Sequence, residues 1–549
     1  MGQGNKRIGA PWRKVRDWIK AALRQSGRLL RLPQHALYYV VAKWRGQQRS
    51  RRMARSARQL RLRPDSLQLL LQACRRMGRM SSGPLLASSQ RIGSAMEAAS
   101  ELGAQASMDA ADSAALSQAA PGAAQKSGLP DRRHAAKHRS LGAARGARGR
   151  HDGTGDEVNA NADQAGPGRG GADESVRPVP EWSPHGSVSA EARLRREREL
   201  CSEQETELLH SIQERTERCN RNNVTRTQAY WDMYRRHPEL HWALLAHMVS
   251  RNGGWNMTDL QGGLLPGLLS WQQREDTFWL LERANAFIFG DAYPQLLLYE
   301  AGKRAGRDLS YLLPALGVSR FMFPAWRIFW RDRDAALLTV SLIINEQHYI
   351  ERRVVQHPEL SERVVQASFF ELQSLLQLNQ VIFPYAAWPQ PLRLAGLILE
   401  NFGHLEERIE FGKQLYALLF AVPEVHQGVV RFARAVRHSG SRADYAPHLF
   451  APGQAEGAGS NGGEASGAAD RRQDAGRLIL SPMLSQAWPD RPLERPVPGD
   501  WFAGLGDVER HLTRLSLPPS FEMTNEYGFG LSKLKLAAAA ARSAGWSQG

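Results

Sequence analysis

The chain has 549 residues and a formal net charge of +17. Residues 1–80 hold 21 Lys and Arg against only Asp17 and Asp65, while the remainder carries 51 basic and 53 acidic residues. The basic character therefore belongs to one end. It excludes a uniformly cationic nucleic-acid binder and points to a polyanionic partner for that end alone.

Within the basic end, PWRKVRDWIKAALRQSGRLLRL has helical spacing. Trp12, Val15, Trp18, Ile19, Leu23, Leu29 and Leu30 share a broad face, with Arg13, Lys14, Arg16, Lys20, Arg24 and Arg31 mainly elsewhere. Trp and Leu opposite Lys and Arg is the pattern of an interfacial membrane helix. The run Arg49, Arg51, Arg52, Arg55, Arg58, Arg61 and Arg63 offers non-specific phosphate neutralisation as the competing reading. The expectation for 1–80 is thus a basic amphipathic helical arm with an anionic membrane surface or nucleic acid as partner, a plain solvated tail being the third outcome. No apolar run is long enough to span a bilayer, and no secretory cleavage pattern occurs. Cys74, Cys201 and Cys219 form no CxxC pair and no even framework, which fits a reducing compartment. The expected location is cytoplasmic, or peripheral to a membrane through the arm.

Between Trp44 and Trp182 there is no Phe, Trp or Tyr. A segment without aromatics and rich in Ala, Gly, Ser and Arg cannot offset its ordering entropy, so 81–195 reads as a disordered linker. Residues 196–450 hold 31 of the 44 aromatics and read as the folded core. A Gly-rich linker, 451–476, and a Pro-rich tail, 477–549, follow. Trp488, Trp501 and Phe502 offer the tail anchors for partial docking.

Helical periodicity dominates the core. Helices are expected over Leu208–Asn220, Thr225–His237 and Pro238–Val249, the last ended by Asn252-Gly253-Gly254. Phe278–Phe289 precedes a turn at Gly290–Pro294, from which a new helix runs to about Lys303. Asp334–Val355, Pro358–Leu378, Pro391–Glu400 and Leu405–Phe420 continue the pattern. The fold class is all-α, a single domain of about nine to eleven helices.

The runs NVTRT at 223–227, LLAHMVSRNGGWNMTDL at 244–260, ANAFIFGDAYPQLLLYE at 284–300 and IINEQHYIE at 343–351 resemble the bacterial family called domain of unknown function 2515, known mainly from spore-forming Gram-positive bacteria. The resemblance covers about residues 200–450 and extends to the DWF tripeptide at Asp500. It implies no activity, substrate or cofactor, so it carries over no catalytic residue.

Candidate chemistry comes from polar residues at core positions. Asn223–Leu260 places Asn, Thr, Arg and His where a helical hairpin normally buries Leu and Ala, at a cost of about 1–3 kcal/mol for each group left unpartnered. Glu346 has Leu342, Ile343, Tyr349 and Ile350 as its helical neighbours. A carboxyl there has a raised pKa unless a cation such as Arg226 or Arg251 pairs with it. The candidate catalytic groups are Glu346, His247 and Asp291; the candidate ligand-binding groups are Arg226, Arg251, Asn252, Asp259 and Asn345. His247, Glu346, Asp291 and Asp259 would hold a metal only by converging from separate helices; no metal or cofactor is indicated. GxSxG, HExxH, Walker and GxGxxG patterns are missing from the core. Two functions follow. In one, these residues line a part-buried polar pocket for a small polar or anionic ligand, with carboxylate and histidine acid–base chemistry available. In the other they form a structural network inside a non-enzymatic scaffold tethered by the basic arm.

Overall fold

A computed structural model describes residues 32–79, 185–357, 379–387, 389–453 and 478–543. In chain order the helices are α1 (Leu32–Arg55), α2 (Pro64–Arg79), α3 (His185–Glu199), α4 (Glu203–Cys219), α5 (Asn223–Arg236), α6 (His241–Asp259), α7 (Trp271–Ala305), α8 (Met322–Asp332), α9 (Ala335–Ile350), α10 (Leu405–Ala421), α11 (Pro423–Ala435), α12 (Leu484–Ala487) and α13 (Thr524–Ser543). Two short strand pairs, β1 (Gln380–Ala386) with β2 (Arg393–Ile398) and β3 (Phe450–Ala451) with β4 (Ile479–Leu480), complete the described residues. The protein is mostly helical, with somewhat more helices than the periodicity predicts. None of the described helices is long and apolar enough to cross a membrane.

Local sequence sets the helix starts. Ser202 and Glu205 close a capping box on α4, as do Asn222 and Thr225 on α5 and Ser270 and Gln273 on α7. Asp334 accepts from the Leu337 amide to start α9. Gly306, in the left-handed region, ends α7.

Two expected helix ends are absent. α7 runs unbroken for 35 residues, about 50 Å, through the turn expected at Gly290–Pro294. Every residue from Asp291 to Gly302 is buried, so the helix is the central post of the core. Pro294 removes the N–H that would bond the Gly290 carbonyl and crowds that carbonyl, a local cost borne by a segment that is buried throughout. α6 likewise passes through Asn252-Gly253-Gly254 and ends at Asp259. Gly254 does not stop the helix. It admits Asn223 and His438, whose Oδ1 and Nε2 occupy the space a Cβ would need.

A third correction falls on Pro391–Glu400, which forms strand β2 and not a helix. β2 pairs antiparallel with β1, Phe383 opposite Ala395, with a bulge between Pro384 and Ala386. Its other edge is covered by the tail: Gly396 N donates to Phe521 O and Met523 N to Leu394 O, each at 2.8 Å. The expected helix Pro358–Leu378 lies outside the described residues.

The core extends past 196–450 at both ends. Leu70, Cys74 and Met77 of α2 are buried in the same cluster as Leu244, Phe289 and Ile343, and so are Trp501, Phe502 and Phe521. Arg63 N donates to Asp334 Oδ2 and Arg58 N to Ala421 O. Ser50 Oγ accepts from the amides of Phe521 and Glu522, which ties α1 to the tail. Composition missed these segments because each contributes a few apolar anchors to a core that other segments build. The amphipathic helix expected around Trp12–Leu30 lies outside the described residues, as does most of the expected linker. The last residues assigned to that linker, from His185, belong to α3.

These contacts give a paired expectation. Gly254→Ala should lower the unfolding free energy by at least ~2 kcal/mol, because the new methyl displaces two buried, hydrogen-bonded side chains. Gly290→Ala, whose Cβ would sit an ordinary 3.6 Å from Asn220 Nδ2, should be neutral or stabilising by about 0.5–1 kcal/mol. Urea denaturation of both variants reads the difference; equal stabilities would remove the close-approach account of Gly254.

Candidate functional site

The helical hairpin α5–α6 carries most of the polar residues that the sequence singled out; Arg226, His247, Arg251 and Asn252 are buried, and Asp259 is half-buried. Asn223 Nδ2 donates to Ser250 O at 2.9 Å, and the hydroxyls of Thr227 and Ser250 meet at 2.6 Å. His247 Nδ1 lies 2.8 Å from Thr227 O, and its Nε2 accepts from Arg251 Nε at 3.1 Å. A carbonyl on one side and an arginine donor on the other fix the neutral ring, with the proton on Nδ1. Burial, reinforced by the Arg251 charge, holds its pKa well below the usual value. Arg251 also donates to Val436 O and lies 4.8 Å from the centre of the Phe432 ring. Burial lowers its pKa to about 10. His438 Nε2 meets Asn223 Oδ1 at 2.9 Å, and its Nδ1 lies 3.4 Å from Asp444.

The other candidates belong to separate networks. Arg226 pairs with Glu282 at 2.5 Å and donates to Asn220. Asp259 pairs with Arg442 at 2.7 Å, whose guanidinium also reaches Asn256 and the Tyr445 hydroxyl. Asp291 Oδ2 accepts from Asn345 Nδ2 at 2.6 Å and Gln295 Nε2 at 3.0 Å. Trp326 Nε1 then donates to Gln295 Oε1, and Trp501 Nε1 to Asn345 Oδ1. Two indoles thus terminate a chain of amides around one carboxyl. Burial pushes Asp291 from 3.8 up to about 7, against the Asn345 amide and the Arg353 charge. The DWF tripeptide docks here: Asp500 accepts from Ser319 Oγ at 2.6 Å, Trp501 stacks on His348 at 4.2 Å and Phe502 packs on Phe321.

The eight candidates therefore do not meet in one place. Arg226, His247, Arg251, Asp259, Asp291 and Asn345 have partners within the protein; Asn252 and Glu346 line the main cavity, and Asp259 a separate recess of about 30 Å³. The residue types are right for chemistry, but their pairing depends on which helices touch. Nothing in the spacing indicated that Glu282, Arg442 and Val436 would supply the partners. Among the described residues, no group of three or more His, Cys, Asp and Glu side chains is placed to hold a metal ion.

The cavity encloses about 240 Å³ between α5, α6, α7, α9, α10 and the β1–β2 hairpin. Its wall is mainly apolar, with Leu245, Leu280, Ile288, Ile350, Phe411 and Leu415 prominent. Asn252 holds part of that wall in place. Its amide donates to Ile382 O at 2.8 Å and accepts from Ile382 N at 2.9 Å, acting as a neighbouring strand would. Both ends of the amide are thereby engaged.

Among the described residues, Glu346 is the only carboxyl on this wall. No described arginine pairs with it, contrary to the pairing expected with Arg226 or Arg251. Its oxygens accept from Trp242 Nε1 and Gln347 Nε2, both at 3.1 Å. The part of its surface left uncovered lies on the cavity wall. Burial raises its pKa from 4.5 to about 7; the two hydrogen bonds oppose the rise and Asp291 adds to it. Tyr230 lines the same cavity, and its buried hydroxyl has no hydrogen-bond partner.

A family model described as "Protein of unknown function (DUF2515)" matches residues 218–522, more than half of the chain. The chain belongs to this family. "Uncharacterized protein YppC" of Bacillus subtilis (strain 168) is 44% identical over 237 residues, 43% of this chain and 72% of the relative. No solved structure matches. The matched span contains the whole cavity wall and the DWF dock, so both are features of the DUF2515 portion. It starts after α1–α3 and stops before α13. Tyr230, Trp242, Gln347 and Arg408 are cavity residues that the sequence reading missed. Tyr and Trp at core spacing look like packing, and only their position against Glu346 distinguishes them.

The raised carboxyl pKa has a testable sign. Folding favours the protonated form of Glu346, so its contribution is complete below pH 4.5 and is lost as the pH rises through about 7. Relative to Glu346→Gln, wild-type stability should decline by roughly 2–4 kcal/mol between pH 4.5 and 7.5. Chemical denaturation of the pair across that range measures it, and a constant difference would mean that the carboxyl is well solvated.

Proposed function

We propose that the DUF2515 core is a small-molecule binding domain whose ligand enters the cavity around Glu346. The observation that carries this reading is the cavity itself. It is a mainly apolar chamber with one carboxyl on its described wall, in a core whose other candidate charged residues have partners within the protein. Ligand sites combine such an apolar wall with few polar groups that fix orientation. A dry apolar cavity of about 150 Å³ already accommodates benzene, so this one has room for a larger molecule. The apolar wall favours a ligand with a compact hydrocarbon body over a fully polar or anionic one. Arg226 and Arg251 stand outside the wall, and His247 has both nitrogens engaged there. That arrangement supports binding and gives Glu346 no histidine partner for acid–base catalysis. The networks around His247, Asp259 and Asp291 serve this function by holding the helices that form the chamber.

An environment-sensitive apolar dye should bind the full chain saturably and quench the fluorescence of Trp242. Ala284→Phe fills the chamber from its half-buried rim and should weaken that binding tenfold or more without lowering the melting temperature. Undiminished binding in this variant would place the dye elsewhere and remove the cavity from consideration.

A further inference from the structure

The charges around the cavity are unequal in a way that selects among ligands. Of the side chains on its wall, Glu346, Arg408 and Tyr230 ionise. Each nitrogen of Arg408 is engaged: Nε donates to Gln347 Oε1 at 3.0 Å, Nη1 to Phe402 O at 2.6 Å, and Nη2 pairs with Glu351. Its positive charge is countered by Glu351 beside the chamber. Glu346 receives one neutral donor on each oxygen and no cation, although a carboxylate has room for about four hydrogen bonds. The Tyr230 hydroxyl, buried and without a partner, lies within electrostatic reach of the same carboxyl. Tyr230 and Trp242 stand edge to face, 5.4 Å apart at 88°, and form an aromatic corner around it.

We propose that the ligand is a monoamine, an alkyl or arylalkyl ammonium whose cation pairs with Glu346 while its hydrocarbon fills the chamber. The inference rests on the cavity being a ligand site. An ammonium supplies the missing counter-charge and three N–H donors, and the Glu346 oxygens have acceptor capacity to spare. A carboxylate or phosphate ligand would meet Glu346 with no unspent cation to offset the repulsion. A neutral alcohol would fit the wall equally well and forgo the ion pair.

The proton balance gives the proposal a second reading. The ammonium requires the ionised carboxyl, whereas the empty site holds a substantial share of Glu346 protonated near neutrality. Binding therefore releases a proton and strengthens with pH until Glu346 is ionised. Among the described residues, Tyr230 of α5 and Asp291 of α7 interact with Glu346 through space, and Arg408 of α10, paired with Glu351, shares its wall. Of these, Asp291 titrates in the same range.

Calorimetric titration of the full chain with hexylamine, hexanol and hexanoate at pH 6 and pH 8 tests the assignment. Hexylamine should bind at least tenfold more tightly than hexanol at pH 8 and weaken about tenfold at pH 6, while hexanol should change little. Glu346→Gln should lose the preference for the amine and still take hexanol, and Asp291→Asn should keep it. Hexanol or hexanoate binding as well as hexylamine, or an amine preference that survives Glu346→Gln, overturns the amine assignment and leaves the cavity reading standing. No binding by any of the three overturns the cavity reading itself. The wild-type pH series decides the first point even if a variant fails to fold.

Discussion

Helix α6 has almost no solvent face, and the desolvation of its polar groups constrains everything around it. Of its nineteen residues, fifteen are buried, and among them are His247, Ser250, Arg251, Asn252, Asn256 and Thr258. A polar group carried into such an interior costs more than a hydrogen bond normally returns unless a partner waits for it. The partners are drawn from every side. α5 supplies Asn223 and Thr227, β1 supplies the Ile382 peptide, and the segment after α11 supplies Val436 O, His438 and Gly440 O. The helix therefore fixes the positions of elements distant in sequence, and Gly254 is where they come closest.

This constraint separates scaffold from site. Arg226, His247, Asp259 and Asp291 look like chemistry in one dimension and act as joints in three. Removing one partner from such a joint leaves a buried group unmatched, which costs more than the joint itself contributes. Some buried atoms still lack hydrogen bonds, Arg251 Nη1, Trp255 Nε1 and Tyr230 Oη among them. Glu346 differs because it lies on the cavity wall with only neutral donors on its oxygens. A site is recognised here by what the scaffold leaves incomplete next to a void.

The termini bear on the same chamber indirectly. The 521–523 segment covers the free edge of β2, Ser50 of α1 holds that segment by its amides, and Trp501 closes the amide chain around Asp291. Asp291 in turn raises the pKa of Glu346 through space. The basic arm is thus joined, through α1 and α2, to the body that its composition seemed to exclude. Its charge remains available in part, since Arg51, Arg52 and Arg55 are exposed.

Sequence alone determined the helical class, because periodicity and caps are properties of neighbouring residues. It determined that Asn223–Leu260 is a hairpin of buried polar residues, and it marked Glu346 as a carboxyl in an apolar helix. It misread Gly253-Gly254 and Gly290–Pro294 as stops, since a glycine that admits a neighbour and one that ends a helix look alike until the neighbour is seen. It read Pro391–Glu400 as helix because a short apolar run has no period of its own, and pairing with β1 decided the matter. Only the tertiary structure decided which arginine met which carboxylate, that Glu346 met none, and that Tyr230 and Trp242 stood beside it. Pairing and void are properties of elements brought together from far apart in the chain, and local spacing carries no information about either.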